Sequence, residues 1–71
     1  MTTTKIMMYY NSDKGCWEVA IDNETYFVHV PKSWENTALA LASCVHAGFD
    51  IEECFTCCVY NYISHTIFYV D

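Results

Sequence analysis

Five cysteines and three histidines are the side chains of this sequence with the most chemistry to offer. Cys54, Cys57 and Cys58 fall close together, with Cys44, His46 and His65 nearby along the chain. Zinc takes four thiolate or imidazole ligands in a tetrahedron, and Cys54-x-x-Cys57 has a recurrent ligand spacing. A structural zinc site, however, pairs two such knuckles or sets a cysteine pair against a histidine pair, and the chain offers no second knuckle. A redox Cys-x-x-Cys sits at a helix N-terminus in a thioredoxin-like setting, which the flanking residues do not supply. The cysteines are therefore read as small hydrophobes of a reduced protein, with no metal and no cofactor expected. A Cys-based metal-binding module stands as a lesser alternative. The histidines are scattered: His29 alternates with apolar positions, His46 lies near a predicted helix end where a cation is favoured, and His65 opens the last apolar run.

Nucleophilic catalysis finds no support. Ser33, Ser43 and Ser64 lack a glycine elbow or an adjacent base. Two glycines in the whole chain exclude the loops that cradle phosphates or dinucleotides. Seventy-one residues also leave little room for a water-excluding pocket with supporting side chains behind it. The expectation is a binding protein and not an enzyme.

Charge narrows the choice of partner. Nine acids face three lysines, and the imbalance is uneven. Up to Lys32, four acids (Asp13, Glu18, Asp22, Glu24) meet all three lysines; from Ser33 onward Glu35, Asp50, Glu52, Glu53 and Asp71 meet none, and arginine is absent throughout. Phosphate contacts need cations, so direct nucleic-acid binding is not expected, nor is attraction to an anionic membrane. A basic protein surface is the natural complement, because opposite potentials steer encounter. The nucleic-acid-binding groove of another protein is one such surface. The first five residues lack a secretory pattern and no apolar run approaches the roughly 20 residues of a membrane span, so a cytoplasmic setting is expected.

The elements that must position these groups follow from periodicity. Residues 5–10 read as a first strand, and 11–15 as a turn in which Gly15 supplies a positive φ. Residues 16–21 alternate, with Trp17, Val19 and Ile21 on one face. A polar turn at 22–24 leads to a third strand over 25–30, with Tyr26, Val28 and Val30 opposed to Thr25, Phe27 and His29. Asp22 and Glu24 read as solvated turn residues. Pro31 stops the sheet. Ser33 is a candidate N-cap, Glu35 suits the first helical turn, and Ala38, Leu41, Ala42 and Val45 form an apolar stripe that Gly48 ends. Over 51–61 two readings compete. Asp50 as N-cap with Glu53 three residues on resembles a capping box, and Ile51, Cys54, Phe55, Cys58 and Tyr62 keep helical spacing, with Cys54 and Cys58 sharing a buried stripe. The run Phe55 to Tyr62 is rich in β-favouring types and could instead be a strand turning at Asn61. The helix is the favoured reading. Residues 65–70 form a last strand, apolar on both faces, which suits the sheet interior or a sheet-edge interface. The sum is a single α+β domain over 1–71: an antiparallel sheet of about four strands, a three-strand N-terminal meander plus a C-terminal strand, packed on one or two helices.

Trp34, Tyr60 and Tyr62 lie near the acids Glu35, Asp50, Glu52 and Glu53 in sequence. Aromatics beside carboxylates make an anchor-and-steer surface, and these seven residues are the candidate partner-binding set. Two Trp, six Tyr and four Phe are more than so small a core can hide, which also allows a homodimer, and a self-associating structural protein is the alternative reading of the chain.

The run W-E-V-A-I-D-N-E-T-Y-F-V-H-V-P from Trp17, followed by the Ala/Leu helix to Gly48-Phe49, resembles in layout the small phage-encoded host-takeover inhibitors. These include anti-CRISPR proteins and inhibitors of bacterial RNA polymerase. The likeness covers about half of the chain; the Cys-rich segment and last strand have no counterpart in it. It implies an acidic inhibitor that blocks a basic, nucleic-acid-binding surface in the host cytoplasm, and it assigns no individual residue.

Overall fold

A computed structural model describes residues 4–70. Three strands, β1 (Ile6–Asn11), β2 (Cys16–Ile21) and β3 (Glu24–His29), precede helices α1 (Glu35–His46) and α2 (Ile51–Cys54), and strands β4 (Cys58–Asn61) and β5 (Thr66–Tyr69) complete the α+β chain. All five strands form one sheet in the order β1-β2-β3-β5-β4. The pairs β1–β2, β2–β3 and β4–β5 are antiparallel, whereas β3 and β5 run parallel. The expected four-strand antiparallel sheet is thus a five-strand mixed one. Its parallel seam arises because α1, α2 and β4 together form the crossover between β3 and β5.

The meander forms where the alternation predicts it. In the β1–β2 turn, Asn11 Oδ1 accepts from the backbone N–H of Asp13 and of Lys14, and Gly15 closes the turn at φ +66°. The β4–β5 turn repeats this design: Asn61 Oδ1 accepts from the N–H of Ile63 and Ser64, and His65 takes the left-handed position at φ +54°. An asparagine four residues ahead of a left-handed residue is thus the shared turn signal, with the side chain replacing a backbone acceptor.

α1 starts at Glu35 with Trp34 as its N-cap and no side-chain cap, so Ser33 is not the cap expected. A turn in which the Trp34 N–H donates to the Pro31 carbonyl sets the helix start one residue later. At the other end the N–H of Gly48 donates to Val45 and that of Phe49 to Cys44, with Gly48 at φ +92°. This is the Schellman arrangement, which requires a left-handed residue after the C-cap.

The segment 51–61 departs from the favoured helix. Asp50 does cap α2, its Oδ1 accepting from the Glu52 N–H at 3.0 Å, but the helix lasts only to Cys54. Phe55 is extended, at φ −130° and ψ 92°, and residues 58–61 become β4. Four-residue helices have little stability of their own, and the β-branched and aromatic side chains of β4 gain more by pairing with β5. Cys54 and Cys58 consequently share no helical stripe: Cys54 is exposed and Cys58 is buried. His65 lies in the turn before β5 and not on the strand.

Both helices lie on one face of the sheet. Trp17, Val19, Ile21, Tyr26, Val28 and Ile67 pack there against Ala38, Leu41 and Ala42 of α1 and Ile51 of α2. The alanines let α1 approach the strands closely, and full burial of these apolar groups is the main stabilising term. No described element covers the opposite face. Among the described residues no helix is long and apolar enough to cross a membrane.

Candidate functional site

Four exposed carboxylates stand on or beside the helices. Glu35 in the first turn of α1, Asp50 capping α2, and Glu52 and Glu53 in the first turn of α2 are all exposed on the helical side. Each has a local reason, since a helix N-terminus favours carboxylates. No Lys or Arg follows Lys32 in the chain, so nothing on the helices neutralises them. Lys14 Nζ lies 5.6 Å from the centre of the Phe27 ring on the opposite face of the sheet, whereas Lys32 Nζ lies 5.9 Å from that of Tyr10, which packs with the core on the helical side. Glu35 opens α1 while Asp50, Glu52 and Glu53 follow its other end, so the four acids form an extended acidic layer and not a point cluster.

The three aromatic candidates separate. Trp34 caps α1 at the edge of exposure, its ring meeting Tyr69 edge-on at 5.1 Å. That contact ties the start of the helix to the end of β5. Tyr62 stands in the β4–β5 turn, 74% exposed. Tyr60 packs against the core and edge-on to the His65 ring, and burial raises its hydroxyl pKa. Trp34 and Tyr62 therefore offer contact area, and Tyr60 offers much less.

A polar cluster that sequence reading missed joins the end of α1 to the β2–β3 turn. The Tyr26 hydroxyl donates to Glu24 Oε2 at 2.6 Å and lies 3.0 Å from His46 Nδ1. His46 Nε2 lies 3.3 Å from Asp22 Oδ2. A carboxylate only accepts, so the contact to Asp22 is made by a ring with its proton on Nε2. The Tyr26 hydroxyl first, and the charge of His46 after it, hold the Glu24 carboxyl below the usual range, while burial and then Glu24 push the Tyr26 hydroxyl up. Asp22 and Glu24 are thus tethering residues and more than a solvated turn. The partners are 20 and 24 residues apart, and only the docking of α1 across the sheet brings them together. His65 Nδ1 is buried beside this cluster with no hydrogen-bond partner among the described residues, its ring 5.3 Å from that of Tyr26.

The cysteines are all free. Cys16 and Cys58 are buried, Cys44 and Cys57 half-buried, and Cys54 exposed. Burial first, then the neighbouring Cys57, pushes the Cys58 thiol up to about 11, and burial likewise raises Cys16. Thiols raised in this way are poor nucleophiles and poor metal ligands at neutral pH. Among the described residues no three His, Cys, Asp or Glu side chains converge as a metal site would require.

The sheet's uncovered face is the second surface. A row of Tyr9, Glu18, Phe27, Thr66 and Asn61 crosses all five strands in register. Beside it the His29 and Phe68 rings stack at 4.7 Å and 17°. Two depressions, of about 260 and 210 Å³, open on this side, the first lined by Lys14, Phe27 and Thr66 and the second by Met7, Glu18 and Thr25. No protein-family model, curated protein or solved structure matches this chain.

Proposed function

We propose that this chain is a small acidic inhibitor that occupies a basic, nucleic-acid-binding surface of a host protein complex. The observation that supports the reading is the exposed layer of Glu35, Asp50, Glu52 and Glu53 on the helices, with no Lys or Arg after Lys32. Natural surfaces intersperse the two signs, and a one-signed layer raises the rate of encounter with an oppositely charged partner. Trp34, next to Glu35, and the exposed Tyr62 offer apolar contact area, which supplies the short-range affinity that screened charges do not. The resemblance in layout to phage-encoded host-takeover inhibitors agrees with this mode of action, binding in place of catalysis.

The test is capture from bacterial lysate on the immobilised chain at low salt, with mass-spectrometric identification. The expected result is retention of a basic nucleic-acid-binding protein, released as salt rises and lost with the Glu52→Lys, Glu53→Lys double variant. Capture of the same proteins by the charge-reversed variant would refute the reading.

A further inference from the structure

We propose that the uncovered face of the sheet is the contact between two copies of this chain, stacked face to face as a two-sheet sandwich. The inference stands on the sheet alone and does not depend on the identity of any partner of the acidic layer.

Charge selects the occupant. The chain carries a net charge of −6, so most approaches of two copies bring acid against acid. Among the described residues the only strand carboxylate on the uncovered face is Glu18, and Lys14 from the β1–β2 turn reaches over the same face to Phe27. The face is therefore close to neutral, so two copies can meet on it with little repulsion. Lys14 lines the 260 Å³ depression and Glu18 the 210 Å³ one, the two meeting at Phe27, over which Lys14 lies and with which Glu18 pairs. A two-fold contact is self-complementary, so Lys14 of one copy set against Glu18 of the other is made twice.

Shape agrees with charge. Met7 and Tyr9 on β1 protrude, 64% and 61% exposed, on the same face that holds the depressions, so one patch carries both knobs and holes. Val59 and Phe68 extend the apolar surface to the far strands. Strands about 4.8 Å apart, the first three about 20 Å long and the four-residue β4 and β5 about 13 Å, give a face on the order of 400 Å². Two such faces together would remove roughly 800 Å² from water, the size of a weak, concentration-dependent contact. Pairing through the last strand is not available, because β5 is flanked by β3 and β4. The sandwich leaves both acidic helical layers pointing outward, and the dimer would present that surface twice.

Sedimentation of the full chain over a wide range of micromolar concentration tests this. The expected mass rises from 8.2 kDa to twice that value. Met7→Lys and Val59→Lys, at opposite edges of the face, should each hold the chain at the monomer mass with unchanged circular dichroism. Lys14→Glu and Glu18→Lys should each weaken association by about tenfold, and the two combined should restore it. The Glu52→Lys, Glu53→Lys variant should dimerise normally, which separates this proposal from the partner-binding reading. A native chain that stays at 8.2 kDa at every concentration overturns the proposal. So does a dimer indifferent to Met7→Lys and Val59→Lys, or a charge swap that fails to rescue.

Discussion

Replacing Ile67 and Phe68 separately by alanine tests the placement of β5, on which both surfaces depend. The residues are adjacent, and the strand sends Ile67 into the core with no exposure and leaves Phe68 on the uncovered face, 42% exposed. Ile67 pairs across to Val28 on β3 and Tyr60 on β4, so a cavity left there is framed by strands on both sides and collapses little. Ile67→Ala should cost about 3–4 kcal/mol, within the range for buried aliphatic truncations. That is a large share of the total for a chain of this size, on the order of 4–10 kcal/mol. Phe68→Ala loses partial burial and the stack on His29, about 1–2 kcal/mol. Urea unfolding followed by fluorescence of the buried Trp17 reads both, in the Met7→Lys background so that association does not contribute. With a slope near 1 kcal/mol per molar urea, the two midpoints should differ by about 2 M. Equal midpoints, or a lower midpoint for Phe68→Ala, would refute the face assignment and the account of the uncovered surface with it.

Acid should destabilise the chain partly through Glu24. Its carboxyl is depressed in the folded state, so its contribution is present above the ordinary value of 4.5 and is lost as pH falls through the lower folded value. Tyr26→Phe removes the hydrogen bond chiefly responsible, and the urea midpoint of that variant should fall less between neutral pH and pH about 4 than that of the native chain. Alkylation of the native protein at neutral pH should label Cys54 first and leave Cys16 and Cys58 unmodified until unfolding, as mass spectrometry of digests would show. Asp50→Ala should cost about 1 kcal/mol through the lost cap, whereas Ser33→Ala should be nearly neutral in thermal melts, since Ser33 caps nothing.

The parts of the fold legible in the sequence are those decided locally. Alternation placed Trp17, Val19 and Ile21 with Tyr26, Val28 and Val30 on one face, and Gly48 ended α1 through its left-handed backbone. Over 51–61 the local signals conflicted: Asp50 did cap a helix, but β-favouring side chains from Val59 onward found a partner strand in β5. That pairing is a hairpin closed by the Asn61 turn, and it overrides the weak helix propensity of the segment. The parallel seam between β3 and β5 has no signature in either strand. Neither has the tether of His46 to Asp22 and Tyr26, since it exists only once α1 lies across the sheet. Of the seven candidate contact residues, the four acids and Tyr62 are exposed, Trp34 is at the edge of exposure, and Tyr60 turned inward because its strand parity matches Cys58 and Ile67.

The most direct test of the central claim is displacement of nucleic acid from the captured protein, read as fluorescence anisotropy of a labelled duplex. Added native chain should return the anisotropy to that of free duplex, and the Glu52→Lys, Glu53→Lys variant should leave it unchanged. A rise in anisotropy on adding the native chain, with the duplex still bound, would show that the acidic layer does not occupy the nucleic-acid-binding surface.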